Sequence, residues 1–179
     1  MRYCWLDIET TGLNPKEHAI LEVAAIITDG LFTPIAEFSL VAAATDELVW
    51  EPIVIDMHQK SGLLTEAKAS SVSSQDLITQ FKHFLLKHKI PDKVFTVAGN
   101  SVHFDTHFLK AYDADFAKLF AHRHLDVSSI RVVVAELFGS AAKANNLNSN
   151  HRALLDIRDS QKELQTYIQH YFKSVPTLK

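Results

Sequence analysis

The first quarter of the chain carries three stretches of mainly apolar residues that predict β-strands. They cover residues 2–8, 19–29 and 33–43. The second stretch ends in Asp29-Gly30, a pair that is typical of a tight turn. Because short connections join the three stretches, we expect them to form an antiparallel meander.

Helical spacing dominates the rest of the chain, with two short strands between the helices. The predicted helices cover 47–60 with a break near Pro52, 75–89, 104–111, 113–121, 129–138 and 152–172, and the predicted strands cover 94–98 and 125–127. Residues 139–150 have turn composition, and we interpret them as a mobile loop. A meander followed by alternating strands and helices predicts one α/β domain over residues 1–179, with a mixed five-stranded sheet flanked by helices.

Some details of the predicted helices depend on single residues. Ser73 or Ser74 is expected to cap the helix over 75–89, and Ser128 is expected to cap the helix over 129–138. The last helix is expected to turn one apolar side toward the core, formed by Leu154, Leu155, Ile157, Leu164 and Ile168.

The composition is that of an ordinary globular domain, with 47% hydrophobic and 22% charged residues. The formal net charge of -3 argues against a protein that coats long nucleic acid, but it leaves room for a short nucleic-acid substrate held by a metal. The single cysteine, Cys4, rules out an internal disulfide and fits a reducing compartment. No apolar run approaches the roughly 20 residues of a membrane span, and Asp7 and Glu9 come too early for a signal peptide. We therefore expect a cytoplasmic protein that does not enter a membrane.

The first predicted strand ends with two acidic residues, Asp7 and Glu9, on either side of Ile8. Successive side chains of a strand alternate between its faces, so both carboxylates are expected to point the same way. A divalent cation between them turns their repulsion into binding, and oxygen ligands suit Mg²⁺ or Mn²⁺. An isolated Asp-x-Glu is more often a pair of solvated acids, so the motif needs support from the rest of the chain.

Further polar residues beside predicted helix starts could join this pair. Asp105 falls in the first turn of a helix, where the helix dipole alone favours a carboxylate. Asp156 lies near the apolar side of the last helix, where an acid needs a cation or hydrogen-bond donors. His151 precedes that helix and could simply cap it, and Arg123 could be structural or could hold a phosphate.

Three sequence blocks, read in order along the chain, resemble a known family. They are Asp7-Ile8-Glu9-Thr10-Thr11-Gly12-Leu13, then Gly99-Asn100-Ser101 with Asp105, then His151-Arg152-Ala153-Leu154 with Asp156-Ile157-Arg158-Asp159-Ser160. This succession is similar to that of the DEDD superfamily of 3′–5′ exonucleases, in its histidine-bearing branch. Lys60-Ser61-Gly62-Leu63, Leu125-Asp126-Val127-Ser128 and the chain length extend the resemblance to the oligoribonucleases.

The resemblance implies a ribonuclease H-like fold, a homodimer and hydrolysis assisted by two metal ions. Asp7, Glu9, Asp105 and Asp156 would bind two divalent cations, Mg²⁺ or Mn²⁺. His151 would be the general base that takes a proton from the attacking water.

The resemblance also implies contacts to a dinucleotide. Leu13 would wedge between the two bases, while Ser101, Arg123 and Ser128 would cap the 5′-phosphate. His58 would reach into the site of the partner subunit.

The chain departs from the family pattern in part of this substrate region. The family's tryptophan, five residues before the histidine, is Ile53 here, with Trp50 three residues earlier, and the family's tyrosine contact corresponds to His122. We expect a 3′–5′ exonuclease that converts single-stranded RNA of two to five nucleotides into 5′-mononucleotides, with short single-stranded DNA as the alternative substrate. A non-catalytic nucleotide-binding protein is a more distant alternative, because none of the four acids is lost and the histidine is present.

Overall fold

The computed structural model describes residues 1–139 and 150–172 of the chain. Its strands are β1 (Tyr3–Thr10), β2 (Ile20–Thr28), β3 (Pro34–Val41), β4 (Thr96–Gly99) and β5 (Leu125–Asp126). Its helices are α1 (Pro52–Lys60), α2 (Leu63–Ala69), α3 (Ser74–His88), α4 (His103–Tyr112), α5 (Phe116–Leu119), α6 (Val127–Phe138) and α7 (Ala153–Tyr171). The loop predicted over 139–150 lies outside the described residues, apart from its two ends.

The five strands form one mixed sheet in the order β3-β2-β1-β4-β5. β1 pairs antiparallel with β2, and β2 pairs antiparallel with β3. β4 joins the other side of β1 in parallel, and β5 joins β4 in parallel. The predicted meander and the predicted mixed five-stranded sheet are therefore confirmed, and β1 is the central strand.

Alternation along β1 decides which side chains reach each face of the sheet. The even-numbered side chains pack into the core that α3 and α4 help to form; they are Cys4, Leu6 and Ile8. Trp5 packs into the core on the opposite face, together with Ile157 of α7. Asp7 and Glu9 lie on the same face as Trp5, so α7 covers the side of the sheet that carries both acids.

Two helix predictions differ from the structure, and one helix was not predicted. α1 begins at Pro52 rather than at residue 47, because a proline has no N–H to donate and its fixed φ suits the first helical position. Only the four residues of α5 are helical within the stretch predicted over 113–121. The sequence pattern did not indicate α2, a seven-residue helix that follows Gly62 in the left-handed conformation, with a φ of 80°.

The helix caps follow the chemistry of the side chains that reach the first N–H groups. Ser73 caps α3 and accepts a hydrogen bond from the backbone N–H of Asp76, as predicted. α6 is capped by Asp126, whose carboxylate accepts the backbone N–H of Ser128. The prediction that Ser128 is the cap is therefore wrong, because the charged acceptor two residues earlier takes that role.

Of the five residues predicted for the inward side of α7, Ile157 and Leu164 are buried, Leu154 and Ile168 are partly buried against the core, and Leu155 is exposed. The buried residues of α7 recur at helical spacing and are Ala153, Ile157, Ser160, Glu163, Leu164 and Tyr167. Leu155 lies between the first two of these along the chain, points away from the sheet and is exposed. Within residues 1–139 and 150–172, no helix has the length and apolar character needed to cross a membrane.

Candidate active site

Three carboxylates meet where β1 ends and α7 begins. Asp7 and Glu9 project from β1 on the face that α7 covers, and Asp156 comes from the first turn of α7. One oxygen from each of the three lies within 4.8 Å of the other two. Acids at this spacing can share a divalent cation, and a donor set of oxygens alone fits Mg²⁺ or Mn²⁺ better than a thiolate-seeking metal.

The fourth predicted acid, Asp105, lies immediately beside this cluster. It occupies the first turn of α4, where only 3% of its surface is exposed. The backbone N–H of Ile8 donates to Oδ1 of Asp105 over 2.9 Å. Because Ile8 separates Asp7 from Glu9 along β1, this bond brings the fourth acid to the other predicted acids.

Burial raises the pKa of Asp7, Glu9 and Asp105, and the charges of neighbouring acids add to this effect. Burial, followed by the charges of Asp105, Glu9 and Asp156, holds the pKa of Asp7 well above its usual value. Burial, followed by the charges of Asp156 and Glu22, raises the pKa of Glu9 to about 8. Burial also raises the pKa of Asp105 to about 7. A bound divalent cation would favour the ionised carboxylates and offset the repulsion between them. The cluster is therefore suited electrostatically to a metal.

An ion-pair network around the buried Glu22 fixes the start of α7 against β2. Glu22 lies opposite Glu9 in the β1–β2 ladder and is buried. It accepts hydrogen bonds from the guanidinium of Arg152 over 3.3 Å and from the first backbone N–H of α7 over 3.1 Å. Arg152 also donates to Glu66 of α2 over 2.6 Å. These contacts set the position of Asp156, one helical turn further along.

The structure also brings the predicted general base to the acids. His151 has a left-handed backbone, with a φ of 50°, at the point where the chain turns into α7. It lines a cavity of about 380 Å³ that Asp7, Glu9 and Asp156 also line. The backbone N–H of the preceding residue, Asn150, donates to Oδ1 of Asp156 over 3.0 Å. The histidine and the acids therefore face a common space.

His58 takes a different place from the one that the resemblance implied. Its ring is completely buried in its own chain, where Nε2 donates to the backbone oxygen of Thr10 over 2.8 Å. Its Nδ1 lies 3.9 Å from Oε2 of Glu9, and burial lowers the pKa of the ring. The ring of Trp50 packs against it with centroids 6.4 Å apart, whereas Ile53 is exposed. The expectation that His58 reaches the partner's site is wrong for this structure, because the ring is enclosed beside its own acids.

The turn after β4 brings two polar residues to the same cavity. Gly99 has a φ of 148°, and a Cβ there would lie 2.8 Å from the backbone oxygen of Leu6, so the turn needs a glycine to approach β1. Asn100 and Ser101 follow and line the cavity. The hydroxyls of Ser101 and Ser128 lie 3.4 Å apart, which places both predicted phosphate contacts at one end of the site.

Two other predicted substrate contacts are not among the described residues that line the cavity. Leu13 is 68% exposed on the loop after β1, where its backbone N–H donates to Glu51. Arg123 is exposed on the loop before β5. Arg131 of α6 lines the cavity instead. Sequence reasoning missed it, although its position three residues after Ser128 on a predicted helix is a signal that both share one face. The remaining lining residues that the motifs did not single out for a role are Ile8, Asn100, Asp159 and Ser160.

Sequence comparisons identify relatives of this chain. The sequence profile of the exonuclease family matches residues 4–164. The oligoribonuclease of Haemophilus influenzae (strain PittGG) is 35% identical over 172 residues, which cover 94% of each chain. The oligoribonuclease of Marinobacter nauticus is 34% identical over 175 residues, which cover 96% of this chain and 97% of its own.

The chain is also similar in fold to solved structures. Exonuclease I from Methylocaldum szegediense superposes with a TM-score of 0.71 at 18% identity. Exonuclease I of E. coli, in a zinc-bound complex with single-stranded DNA, superposes with a TM-score of 0.73 at 16% identity. Both matches cover 96% of this chain and 41% of the other, so the chain spans about two fifths of the length of these structures. At this identity the likeness shows the fold, and it confirms the ribonuclease H-like expectation. With the family profile and relatives above 30% identity both covering most of its length, the chain belongs to the exonuclease family.

Proposed function

We propose that this protein is a 3′–5′ exonuclease that hydrolyses very short single-stranded oligonucleotides, with RNA as the favoured substrate, to 5′-mononucleotides. The observation that carries the proposal is the meeting of Asp7, Glu9 and Asp156 within 4.8 Å, with Asp105 fixed beside them. Relatedness to oligoribonucleases over nearly the whole chain supports a short RNA substrate. Short single-stranded DNA is the second candidate, because a protein of the same fold is known in complex with single-stranded DNA.

The four acids are the residues that would hold two divalent cations, Mg²⁺ or Mn²⁺. Such ions, when bound, lower the pKa of water and stabilise the leaving oxygen of a phosphodiester. Hydrogen bonds from the backbone orient two of the acids in advance: Ile8 donates to Asp105, and Asn150 donates to Asp156. Preorganised carboxylates lose less freedom when a ligand arrives, so this arrangement favours tight and precise binding.

His151 would accept the proton that the attacking water loses as the new phosphorus–oxygen bond forms. The bond from phosphorus to the 3′-oxygen breaks, the 3′-oxygen takes up a proton, and the released nucleotide keeps the phosphate on its 5′ carbon. The place of His151 on the same cavity as the acids supports this role. The Glu22–Arg152 contact next to it would keep the histidine in position.

The contacts to substrate are proposed at two places. The neighbouring hydroxyls of Ser101 and Ser128 support a phosphate site at their end of the cavity. The exposure of Leu13, on a loop that continues directly from β1, supports a contact with bases. The phosphate contact of Arg123 stays a prediction.

We also propose that the protein forms a homodimer. Large apolar side chains exposed on α6 support this, since such groups mark contact surfaces; they are Val132, Val133 and Leu137. Size-exclusion chromatography with light scattering should give twice the chain mass of 20.1 kDa. A mass equal to one chain at micromolar concentration would contradict the dimer. The cytoplasmic location and the single-domain organisation of residues 1–179 stay predictions.

The direct test is hydrolysis of 5′-labelled RNA and DNA of two, three, five and seven nucleotides, with Mn²⁺ or with EDTA. We expect the dinucleotide of RNA to be cleaved fastest, longer strands to shorten one nucleotide at a time from the 3′ end, and EDTA to stop the reaction. Faster turnover of the DNA series would favour the second candidate. No turnover of any substrate with Mn²⁺, while the protein is folded, would refute both.

A further inference from the structure

The acids of the site do not all receive the same support from their surroundings. Backbone N–H groups donate to the carboxylates of Asp105 and Asp156 over 2.9 and 3.0 Å. In the part of the chain that the structure describes, no hydrogen bond reaches the carboxylate of Glu9, whose Oε2 lies 3.9 Å from Nδ1 of His58. The orientation of Glu9 therefore depends on its own backbone and on the side chains packed against it, of which the His58 ring is one.

The backbone that carries Glu9 is irregular at this point. The register between β1 and β2 shifts between Glu9 and Thr10. Irregularities of this kind bend a strand, re-aim the side chain beside them and often occur next to active sites. Because the regular pairing of the sheet ends here, contacts from outside the sheet are needed to hold this strand end in one conformation.

The α1 segment supplies such contacts. Glu51, the residue before α1, donates its backbone N–H to the oxygen of Thr11 over 2.9 Å. Two helical turns further along, Nε2 of His58 donates to the backbone oxygen of Thr10 over 2.8 Å. The His58 ring is completely buried, and the ring of Trp50 packs edge-on against it. The donor to Thr10 is therefore held in place on the inner side of α1.

The second ring nitrogen of His58 faces Glu9 without binding it. The carbonyl oxygen of Thr10 can only accept, so Nε2 carries the proton, and Nδ1 of the neutral ring is an acceptor. Nδ1 is buried and has no hydrogen-bond partner among the described residues. A ring that donated to Glu9 would compete with a cation for the carboxylate. The bond to Thr10 fixes the tautomer that leaves Glu9 available.

We propose that His58 is a positioning residue of the metal site. Its hydrogen bond to the Thr10 oxygen fixes the end of β1 and so holds the Glu9 carboxylate where a divalent cation binds. This assignment rests on the metal site of the proposed function, and it gives His58 a role inside its own chain without contact to substrate. Groups that orient a metal ligand matter for binding, since their loss typically lowers metal affinity or activity about 10- to 100-fold.

The test measures the dissociation constant for Mn²⁺ by calorimetry, without substrate, for wild type, His58→Gln and His58→Phe. Glutamine places an amide N–H at the reach of Nε2, whereas phenylalanine keeps a ring and removes the donor. We expect His58→Phe to raise the dissociation constant about 10- to 100-fold, and His58→Gln to stay within about threefold of the wild type. At saturating Mn²⁺, the KM for an RNA dinucleotide should change less than about threefold in both variants, because the ring is buried.

Tyr167→Phe is the matched control for the general loss of a buried hydrogen bond. The Tyr167 hydroxyl donates to Glu163 over 2.6 Å, and Tyr167 lies three helical turns beyond Asp156 on α7. We expect this variant to unfold at a lower temperature than the wild type and to bind Mn²⁺ with unchanged affinity. A loss of Mn²⁺ affinity in His58→Phe is then a property of the His58 contact rather than of reduced stability.

His58→Asn provides a second comparison if His58→Phe does not fold. Asparagine has the same amide group as glutamine on a shorter side chain, which places the group at the reach of Nδ1 and too far from Thr10. We expect His58→Asn to bind Mn²⁺ as weakly as His58→Phe.

Three results would overturn the assignment: unchanged Mn²⁺ affinity in His58→Phe and His58→Asn, a loss in His58→Gln as large as in His58→Phe, or a raised KM with unchanged Mn²⁺ affinity. Retained affinity in His58→Asn with a loss in His58→Gln would also contradict it, because Nδ1 would then be a metal ligand. The proposed function fails on a different result, the absence of turnover by the wild type with Mn²⁺.

Discussion

Removing the charge of Glu9 should stabilise the metal-free protein at alkaline pH, although it removes a proposed metal ligand. Glu9 is buried beside other acids, and burial followed by the charges of Asp156 and Glu22 raises its pKa from a usual 4.5 to about 8. A carboxyl whose pKa is raised on folding binds its proton more tightly in the folded state. Its contribution to stability is therefore complete below pH 4.5 and is lost as the pH rises through 8.

The size of this effect follows from the raised pKa. One unit of pKa corresponds to about 1.36 kcal/mol, so complete ionisation of Glu9 in the folded protein costs roughly 5 kcal/mol of stability. At pH 8 the cost is about 4 kcal/mol, as an upper limit. Asp156 contributes to the repulsion that raises the pKa of Glu9. A single substitution is therefore expected to recover less stability than this upper limit. Glutamine keeps the shape of the side chain and does not ionise. We therefore expect the free energy of unfolding of Glu9→Gln to exceed that of the wild type by about 2–4 kcal/mol at pH 8 in EDTA, and by less than about 1 kcal/mol at pH 5.

The assay is urea unfolding followed by circular dichroism, in EDTA, at pH 5, 6.5 and 8. Glu47→Gln, at an exposed position, is the matched control and should follow the wild type at every pH. With Mn²⁺ at pH 8 the order should reverse, because the wild type then gains binding energy that the variant lacks. Parallel pH profiles for wild type and Glu9→Gln in EDTA would refute the idea that the acids repel one another in a buried cluster.

Three further substitutions test the remaining parts of the site. Asp156→Ala should reduce dinucleotide turnover below a tenth of the wild-type rate, a loss above roughly 1.4 kcal/mol of barrier, while thermal unfolding stays cooperative; a rate above that level would show that Asp156 is not a metal ligand. His151→Ala should lower kcat by about 10²–10⁴-fold with an unchanged dissociation constant for Mn²⁺ in calorimetry; weaker Mn²⁺ binding would make His151 a ligand. Gly99→Ala should destabilise the fold by at least about 1–3 kcal/mol in urea unfolding, because a Cβ would lie 2.8 Å from the Leu6 oxygen; an unchanged midpoint would show that the turn adapts.

The sequence predicted the sheet well because local alternation and short connections determine a meander. The same alternation placed Asp7 and Glu9 on one face, and the structure shows that this is the face covered by α7. The two shortest helices, α2 and α5, were missed or predicted too long. With seven and four residues, they contain too few turns for the period of a helix to emerge from the pattern.

The residues of the candidate site that belong to sequence motifs were predictable, whereas those placed by packing between distant parts of the chain were not. Each of the four acids and His151 lies in one of three recognisable blocks, and the structure brings them to one place. The positions of the His58 and Arg131 side chains depend instead on contacts between residues that are far apart along the chain. The Thr10 oxygen that holds His58 is 48 residues away along the chain, and the Glu163 carboxylate that holds Arg131 is 32 residues away. Spacing along one element indicates that Arg131 shares a helix face with Ser128, but it does not reveal contacts with residues so far away along the chain.

The central claim is that the acids at the end of β1 hold two cations for hydrolysis. Its most direct test counts bound Mn²⁺ by electron paramagnetic resonance and follows cleavage of an RNA dinucleotide in the same sample. For the wild type we expect two ions per chain in the presence of the dinucleotide, a rate that follows occupancy, and no cleavage in EDTA. Asp7→Asn should bind fewer ions and leave the dinucleotide intact. Cleavage that persists in EDTA, or full activity of Asp7→Asn, would contradict the account.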